Sequence, residues 1–352
     1  MSTAPRDPSD SSPQSAALSA APLGPDGFGA RLDGPATASA AALLAAGARD
    51  GKLAAMLDAA DGLLLVKGLT DLSEDPGLLV RLSTLFGPVV EDYTETNMAR
   101  HMIHRDHPEI FIVSNGPPAN RQPPPPPTPP LTEAGEFPLS FPQRGGWHTD
   151  QSYRRPPPDI SLFYCVKPAP KGSGQTLYAN GVAAYRSLPE DLKAAVQGLV
   201  GIHAQPGTGR SENAVRAGQT PDPTDPHNRP QRQPVVRHHP VTGRPALFLC
   251  ERGQMDWVDG PFVGMTPGVD GDGARLLSRL MAHYTAPAHV YCHDWDAGDL
   301  VIYDNRSLIH AATWFDAAAH LRVMWRTTVW GNPGPEYAGE AKSWRPAGPT
   351  PR

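Results

Sequence analysis

Long apolar runs, clustered cysteines and stretches of basic charge are all missing from this chain, and each absence removes a class of protein. Three cysteines, Cys165, Cys250 and Cys292, lie far apart with no CxxC pair. That excludes a disulfide framework or a zinc ribbon and predicts three reduced, buried thiols. The longest stretch of small apolar residues, 39–48, is too short to span a bilayer. No basic segment followed by an apolar one opens the sequence, so a cytoplasmic protein with no membrane partner is expected. Lys and Arg number 31 against 36 Asp and Glu, a net charge of -5, and no Lys/Arg-rich run occurs, which argues against nucleic acid as a partner. GxGxxG, P-loop and HExxH motifs and internal repeats are also absent. Nucleotide binding through those loops and zincin-type hydrolysis are excluded with them.

Proline (42 residues) and glycine (34) are instead abundant, which favours strands and loops over a helical bundle. The 352 residues, 39% of them hydrophobic, suffice for one large β-domain with helical decoration or two small domains. Residues 1–27 are rich in Ser, Ala and Pro and read as a disordered tail. A single domain is expected over 28–340, with a C-terminal tail at 341–352. Ala and Leu at helical spacing predict one or two short helices within 37–60. A helix is expected over 76–86, opened by Pro76 and closed by Gly87, and further helices over 182–199 and 273–284. Strands are expected at 62–69, 109–115, 159–167, 175–180, 235–239, 246–250, 289–295, 299–305 and 321–330. Many short strands with irregular loops predict a mainly β closed or double-sheet architecture with flanking helices, which a jelly-roll fits.

Two segments interrupt this pattern. Residues 116–143 contain five consecutive prolines at 123–127, and 205–233 are polar and rich in Pro, Gly and Arg. A proline run cannot enter a sheet interior or a helix. It is an inert extended spacer, a ligand for a partner, or a loop over an active site.

Chemistry-bearing residues follow at once. In extended backbone, His148 and Asp150 of GGWHTD point to one side while Thr149 faces away, so an imidazole and a carboxylate can reach one metal ion. Such a pair is half of the facial triad of non-haem Fe(II) oxygenases, or else a simple hydrogen-bonded pair. A third ligand would come from a distant strand. His310 ends DNRSLIH, just after an apolar run. Arg322 and Arg326 then share one face of an apolar β segment. Two buried guanidinium groups would repel unless a dianionic ligand lay between them; otherwise the two are exposed on a solvated face.

HTD at 148–150, GQTLYANG at 174–181, HPVTGRPALF at 239–248, WDAGDLVIYDNRSLIH at 295–310 and RVMWR at 322–326 occur in that order. Over roughly residues 60–332 the sequence resembles the taurine/2-oxoglutarate dioxygenase family, which includes the 2,4-dichlorophenoxyacetate and alkylsulfate enzymes. The resemblance implies a double-stranded β-helix, or jelly-roll. It implies Fe(II) held by His148, Asp150 and His310, with 2-oxoglutarate and O2 as co-substrates. Arg322 and Thr176 match the clamp on the distal carboxylate of 2-oxoglutarate. Arg326 matches a second arginine that serves the near end of the co-substrate or the substrate anion. The segments 116–143 and 205–233 fall where the family has lids, and a dimer or tetramer is implied. Asp150 speaks against halogenation, since related halogenases lack that carboxylate.

The implied reaction is hydroxylation of a small acid (a carboxylate, amino acid, sulfonate or phosphonate) with release of succinate and CO2. A protein-modifying oxygenase and a non-enzymatic metal- or 2-oxoglutarate-binding barrel are the alternatives. Taurine itself is disfavoured. Where taurine enzymes carry a histidine shortly after FG, this chain has Phe86-Gly87 followed by Glu91-Asp92-Tyr93. Those acids either face solvent or favour an ammonium or hydroxyl group on the substrate. Arg326, Asn115 and Tyr93 are the candidate substrate contacts.

Overall fold

The computed structural model describes residues 18–47, 51–96, 98–126, 146–225, 228–251, 253–340 and 342–343. Two sheets carry the fold. The larger has eight strands in the order Ser19–Pro22, Ala30–Asp33, Leu63–Val66, Leu300–Asp304, Ile160–Lys167, Val323–Trp330 and Val89–Val90, with Phe111–Ser114 also paired to Val323–Trp330. The smaller has three: Val290–His293, Thr176–Asn180 and Leu308–Ala312. Its pairings are antiparallel, and in the larger sheet only Ala30–Asp33 with Leu63–Val66 is parallel. The result is mainly β with flanking helices, a jelly-roll whose sheets stay open instead of closing into a barrel.

Side-chain alternation explains the layering, because successive strand residues point to opposite faces. Leu63, Leu65, Val301 and Tyr303 point between the sheets, where they meet Tyr178 and Leu308 of the smaller sheet. Their neighbours Leu64, Val66, Leu300 and Ile302 point the other way, onto the helices Ala40–Gly47, Lys52–Ala59 and Gly77–Ser83. A second outer layer covers the smaller sheet. There the amphipathic helix Asp272–Tyr284 buries Leu276, Leu277, Leu280 and Tyr284 against Leu177, Ala179 and Ile309.

Several expectations change. The supposed tail is ordered from residue 18, because Ser19–Pro22 pairs with Ala30–Asp33 and Leu18 and Leu23 pack on the core; residues 1–17 lie outside the described residues. The helix expected over 182–199 is two, Gly181–Arg186 and Glu190–Ala195, because Pro189 takes an extended ψ of 146° between them. The segment 205–233 is not one loop. It holds the helix Glu212–Arg216, capped by Ser211 accepting from the Ala214 N–H, and the start of the strand Gln231–Pro234. Of 116–143, residues 127–143 lie outside the described residues, as does most of 341–352. Among the described residues no helix is long and apolar enough to cross a membrane.

Candidate active site

His148 and His310 meet across a single antiparallel bridge. The His148 N–H donates to the His310 carbonyl at 3.0 Å and the reverse bond is 2.7 Å. This bridge ties the segment leaving the proline-rich stretch to the strand Leu308–Ala312 and brings the two rings to 4.4 Å between centroids. Asp150 follows one turn of extended chain later. The candidate ligand atoms of His148, Asp150 and His310 all lie within 4.8 Å of one another. His148 Nδ1 sits 2.9 Å from the Gly146 carbonyl, which fixes Nδ1 as the protonated nitrogen and leaves Nε2 as a donor atom for a metal.

The electrostatics suit ligation. Burial pushes His310 down to about 3, helped by the neighbouring His148, and burial likewise lowers His148, so both imidazoles are neutral. Burial alone would raise Asp150, but the Arg326 charge, helped by the hydrogen bond from Tyr303, holds it well below the usual carboxylate range. Its carboxylate is oriented from all sides. Oδ2 accepts from the Tyr303 hydroxyl at 2.6 Å and the Ser161 hydroxyl at 3.1 Å, and Oδ1 pairs with Arg326 Nη1. Two neutral imidazoles and one anionic carboxylate form a donor set that fits a mononuclear divalent ion such as Fe(II).

His148 and His310 line a cavity of about 550 Å³ that also includes Thr176, Arg322, Arg326 and Asn115. Arg322 is buried, and its Nε and Nη2 have no hydrogen-bond partner. Burial lowers its pKa to about 10, leaving it charged. Thr176 Oγ accepts from Trp295 Nε1 at 3.0 Å, so its hydroxyl proton can be directed at a ligand.

The three expected substrate contacts are placed as follows. Arg326 lines the cavity and is ion-paired to Asp150. Asn115 lines the cavity, yet its amide is occupied: Oδ1 accepts from the Arg322 N–H at 2.8 Å and Nδ2 donates to the carbonyls of His320 and Ala317. It positions Arg322. Tyr93 is absent from the cavity wall; its buried hydroxyl meets Thr328 Oγ1 at 2.8 Å, behind Arg326. Glu91 is ion-paired with Arg154 and accepts a hydrogen bond from Gln151 Nε2, and Asp92 caps the Thr94 N–H, so neither acid addresses the cavity.

Other contributors carried too faint a signal in the sequence. Asn305 Oδ1 accepts from the Asp150 N–H at 3.1 Å while its Nδ2 donates to Ser161 Oγ at 3.0 Å. Next to it, Arg306 grips Asp304 with Nε and Nη2 at 2.8 and 2.7 Å, and His239 Nε2 lies 2.9 Å from the same carboxylate. Asp58, His239 and Asp304 also bring possible ligand atoms within 4.8 Å. Arg306 already satisfies Asp304, so the cluster is a buried knot that fixes the turn leading into His310. The DNR and HPVTGRP motifs encode this knot. Gly174, at φ +59° before Thr176, has room for no side chain: a Cβ would lie 2.7 Å from that of Ala169.

The family model of the Taurine catabolism dioxygenase TauD, TfdA family matches residues 19–328. An (S)-phenoxypropionate/alpha-ketoglutarate-dioxygenase of Sphingobium herbicidovorans is 33% identical over 198 residues, 55% of this chain and 64% of the relative. An alpha-ketoglutarate-dependent 2,4-dichlorophenoxyacetate dioxygenase of a Burkholderia species is 30% identical over 187 residues, 52% of this chain and 57% of the relative. The match thus spans less than two thirds of either relative's length. The solved structure of AAD-2 in complex with Mn(II) and N-oxalylglycine superposes with a TM-score of 0.61 at 24% identity, over 90% of this chain and 98% of that one; it supports the fold. With a model match over most of the sequence, the chain belongs to the taurine catabolism dioxygenase TauD, TfdA family.

Proposed function

We propose that this protein is an Fe(II)- and 2-oxoglutarate-dependent dioxygenase that hydroxylates a small acidic substrate and releases succinate and CO2. The observation that carries the reading is the juxtaposition of the His148–Asp150–His310 donor set, whose two imidazoles line the cavity, with a buried Arg322 on the same wall that has unpartnered nitrogens. His148, Asp150 and His310 would hold the iron, which with 2-oxoglutarate supplies the activation of O2 when bound. Arg322 and Thr176 would grip the distal carboxylate, a bidentate guanidinium contact that fixes the co-substrate's direction. Arg326 would serve the near end, beside Asp150. Phe163 and Phe315 on the cavity wall exclude water from the reacting centre.

The relatives' names support a small anion as substrate: phenoxypropionate, dichlorophenoxyacetate and, in a Pseudomonas putida relative, a sulfate ester. Three unpaired cysteines among the described residues fit the reducing cytoplasm. The test loads the protein anaerobically with Fe(II) and 2-oxoglutarate, adds a panel of carboxylates, sulfonates, sulfate esters and amino acids, and admits air. Succinate and hydroxylated product are expected from wild type and neither from Asp150→Ala. Succinate production that Asp150→Ala retains, or none from wild type with any acid, rejects the assignment.

A further inference from the structure

The cavity holds a third guanidinium that the co-substrate and the metal do not use. After the strand Phe111–Ser114 the chain turns back on itself: Asn120 donates its N–H to the Gly116 carbonyl at 2.9 Å, and Arg121 its N–H to the Ser114 carbonyl at 2.8 Å. This closed turn carries Arg121 into the wall of the same cavity that His148 and His310 line. Its side chain is solvent-accessible and makes no ion pair among the described residues. Its charge is felt throughout the site: it lowers His148, His310 and Arg322.

Building on the dioxygenase reading, we propose that Arg121 is the residue that takes the anionic group of the substrate, and that the substrate is a monoanion on an apolar body. The assignment follows from the partners of the three arginines. Arg326 is occupied by Asp150, and the buried Arg322 matches the co-substrate. Of the three, Arg121 alone is both accessible and without an ion pair among the described residues. Three guanidinium groups and a divalent ion outweigh the Asp150 carboxylate and a dianionic co-substrate, so one further anion is held without like-charge penalty. The cavity that Arg121 lines also carries an apolar set, Val113, Phe163, Phe315 and the prolines 123–125, beside neutral polar groups such as Gln122 and Thr313. The apolar set suits an aryl or alkyl body, and among the described residues of the wall the charged side chains besides the three arginines and the histidines reduce to Glu251. Glu251, on the wall as well, already accepts the Trp147 N–H at 3.3 Å.

The experiment is calorimetric titration of protein loaded with Mn(II) and 2-oxoglutarate under argon. The probes are phenoxyacetate, (S)-2-phenoxypropionate and hexyl sulfate, with 2-phenoxypropanamide as a neutral isostere. For Arg121→Met, the affinity for the tightest anion is expected to fall roughly 30- to 1000-fold, the size of a lost charge-assisted contact. Arg121→Lys should restore part of it. Affinity for 2-oxoglutarate and for the amide should stay within about threefold, and the thermal midpoint should not move. Retained anion affinity in Arg121→Met, a parallel loss of 2-oxoglutarate, or no binding of any of the three anions to wild type overturns the proposal. Failure of the dioxygenase reading shows separately, as an anion that binds through Arg121 yet yields no succinate when the Fe(II) protein meets air.

Discussion

Removing one oxygen, in Tyr303→Phe, tests whether the Asp150 carboxylate is held ready for a metal. The Tyr303 hydroxyl donates to Asp150 Oδ2 at 2.6 Å, and burial keeps the phenol protonated by raising its pKa far above the ordinary value. The ring is buried and packs against Tyr178 and His310 at centroid distances of 5.6 and 4.9 Å. Phenylalanine keeps that packing, so the fold should barely notice. A hydrogen bond to a charged acceptor contributes about 1.5–3 kcal/mol, which corresponds to roughly 10- to 150-fold in an equilibrium constant. Loss of a group that orients a metal ligand gives a similar range, about 10- to 100-fold. Mn(II) titration of the two proteins should therefore show an affinity loss of about tenfold or more in Tyr303→Phe. At saturating metal, affinity for 2-oxoglutarate should be nearly unchanged, because Arg322 and Thr176 are untouched. Ser161→Ala, whose hydroxyl reaches the same oxygen at the longer distance of 3.1 Å, should show a smaller loss. Metal affinity within twofold of wild type in Tyr303→Phe would mean that the other two groups on the Asp150 carboxylate, Ser161 and Arg326, suffice to hold it.

Further outcomes follow from the same geometry. Arg322→Ala should raise the KM for 2-oxoglutarate by about 30- to 1000-fold, a loss of roughly 2–4 kcal/mol, while Mn(II) affinity stays intact; an unchanged KM assigns the clamp elsewhere. Arg306→Met removes the guanidinium from the buried Asp304 carboxylate, leaving His239 as its side-chain partner, and should cost about 3–5 kcal/mol of stability, read as a lower denaturant midpoint; an unaltered midpoint refutes the structural role given to that knot. His203 is wholly buried and burial, then Arg237, lowers its pKa to about 3. A base with a depressed folded pKa loses stability as pH falls from its unfolded value of about 6.5, here about 2 kcal/mol by pH 5. His203→Asn should lessen the drop in urea midpoint between pH 7 and pH 5, and an identical drop removes His203 from the account.

Legibility in the sequence tracked how local each determinant is. Strands such as Ile160–Lys167, Leu300–Asp304 and Val323–Trp330 announced themselves as apolar β-branched and aromatic runs, and the helix Asp272–Tyr284 by its 3.6-residue period. HTD and the distant His310 were legible as motifs, and the fold brings them together across a two-bond bridge that no local pattern encodes. The helix Glu212–Arg216 had its capping Ser211 in plain sight, but its five residues are too few for periodicity to register among prolines and glycines. Substrate contacts were the least legible. Whether Arg326 or Arg121 is the free cation depends on which of them reaches Asp150, a matter of side-chain geometry across strands far apart in sequence. Tyr93 was named for its neighbours Glu91 and Asp92, yet its hydroxyl turns inward to Thr328.

Arg237 and Arg322 show why a buried arginine is informative only through its surroundings. Both are buried, and each has two side-chain nitrogens without hydrogen-bond partners. Arg237 lies over Phe248 and Tyr337, its Cζ 4.5 and 4.9 Å from the ring centroids, and donates Nη2 to the Pro333 carbonyl at 2.5 Å. Aromatic faces on either side stabilise its charge within the protein, so its place is structural. Arg322 has one ring, Phe163, at the longer distance of 5.9 Å, and its guanidinium borders a cavity. Asn115 anchors its backbone, which fixes where the side chain emerges but leaves its charge unanswered. A guanidinium kept charged at that site is costly unless an anion arrives to meet it. The same physics that makes Arg237 a packing element thus makes Arg322 a receptor. The contrast is measurable: 2-oxoglutarate should raise the thermal midpoint of wild type and of Arg237→Met alike, and should leave that of Arg322→Ala unmoved.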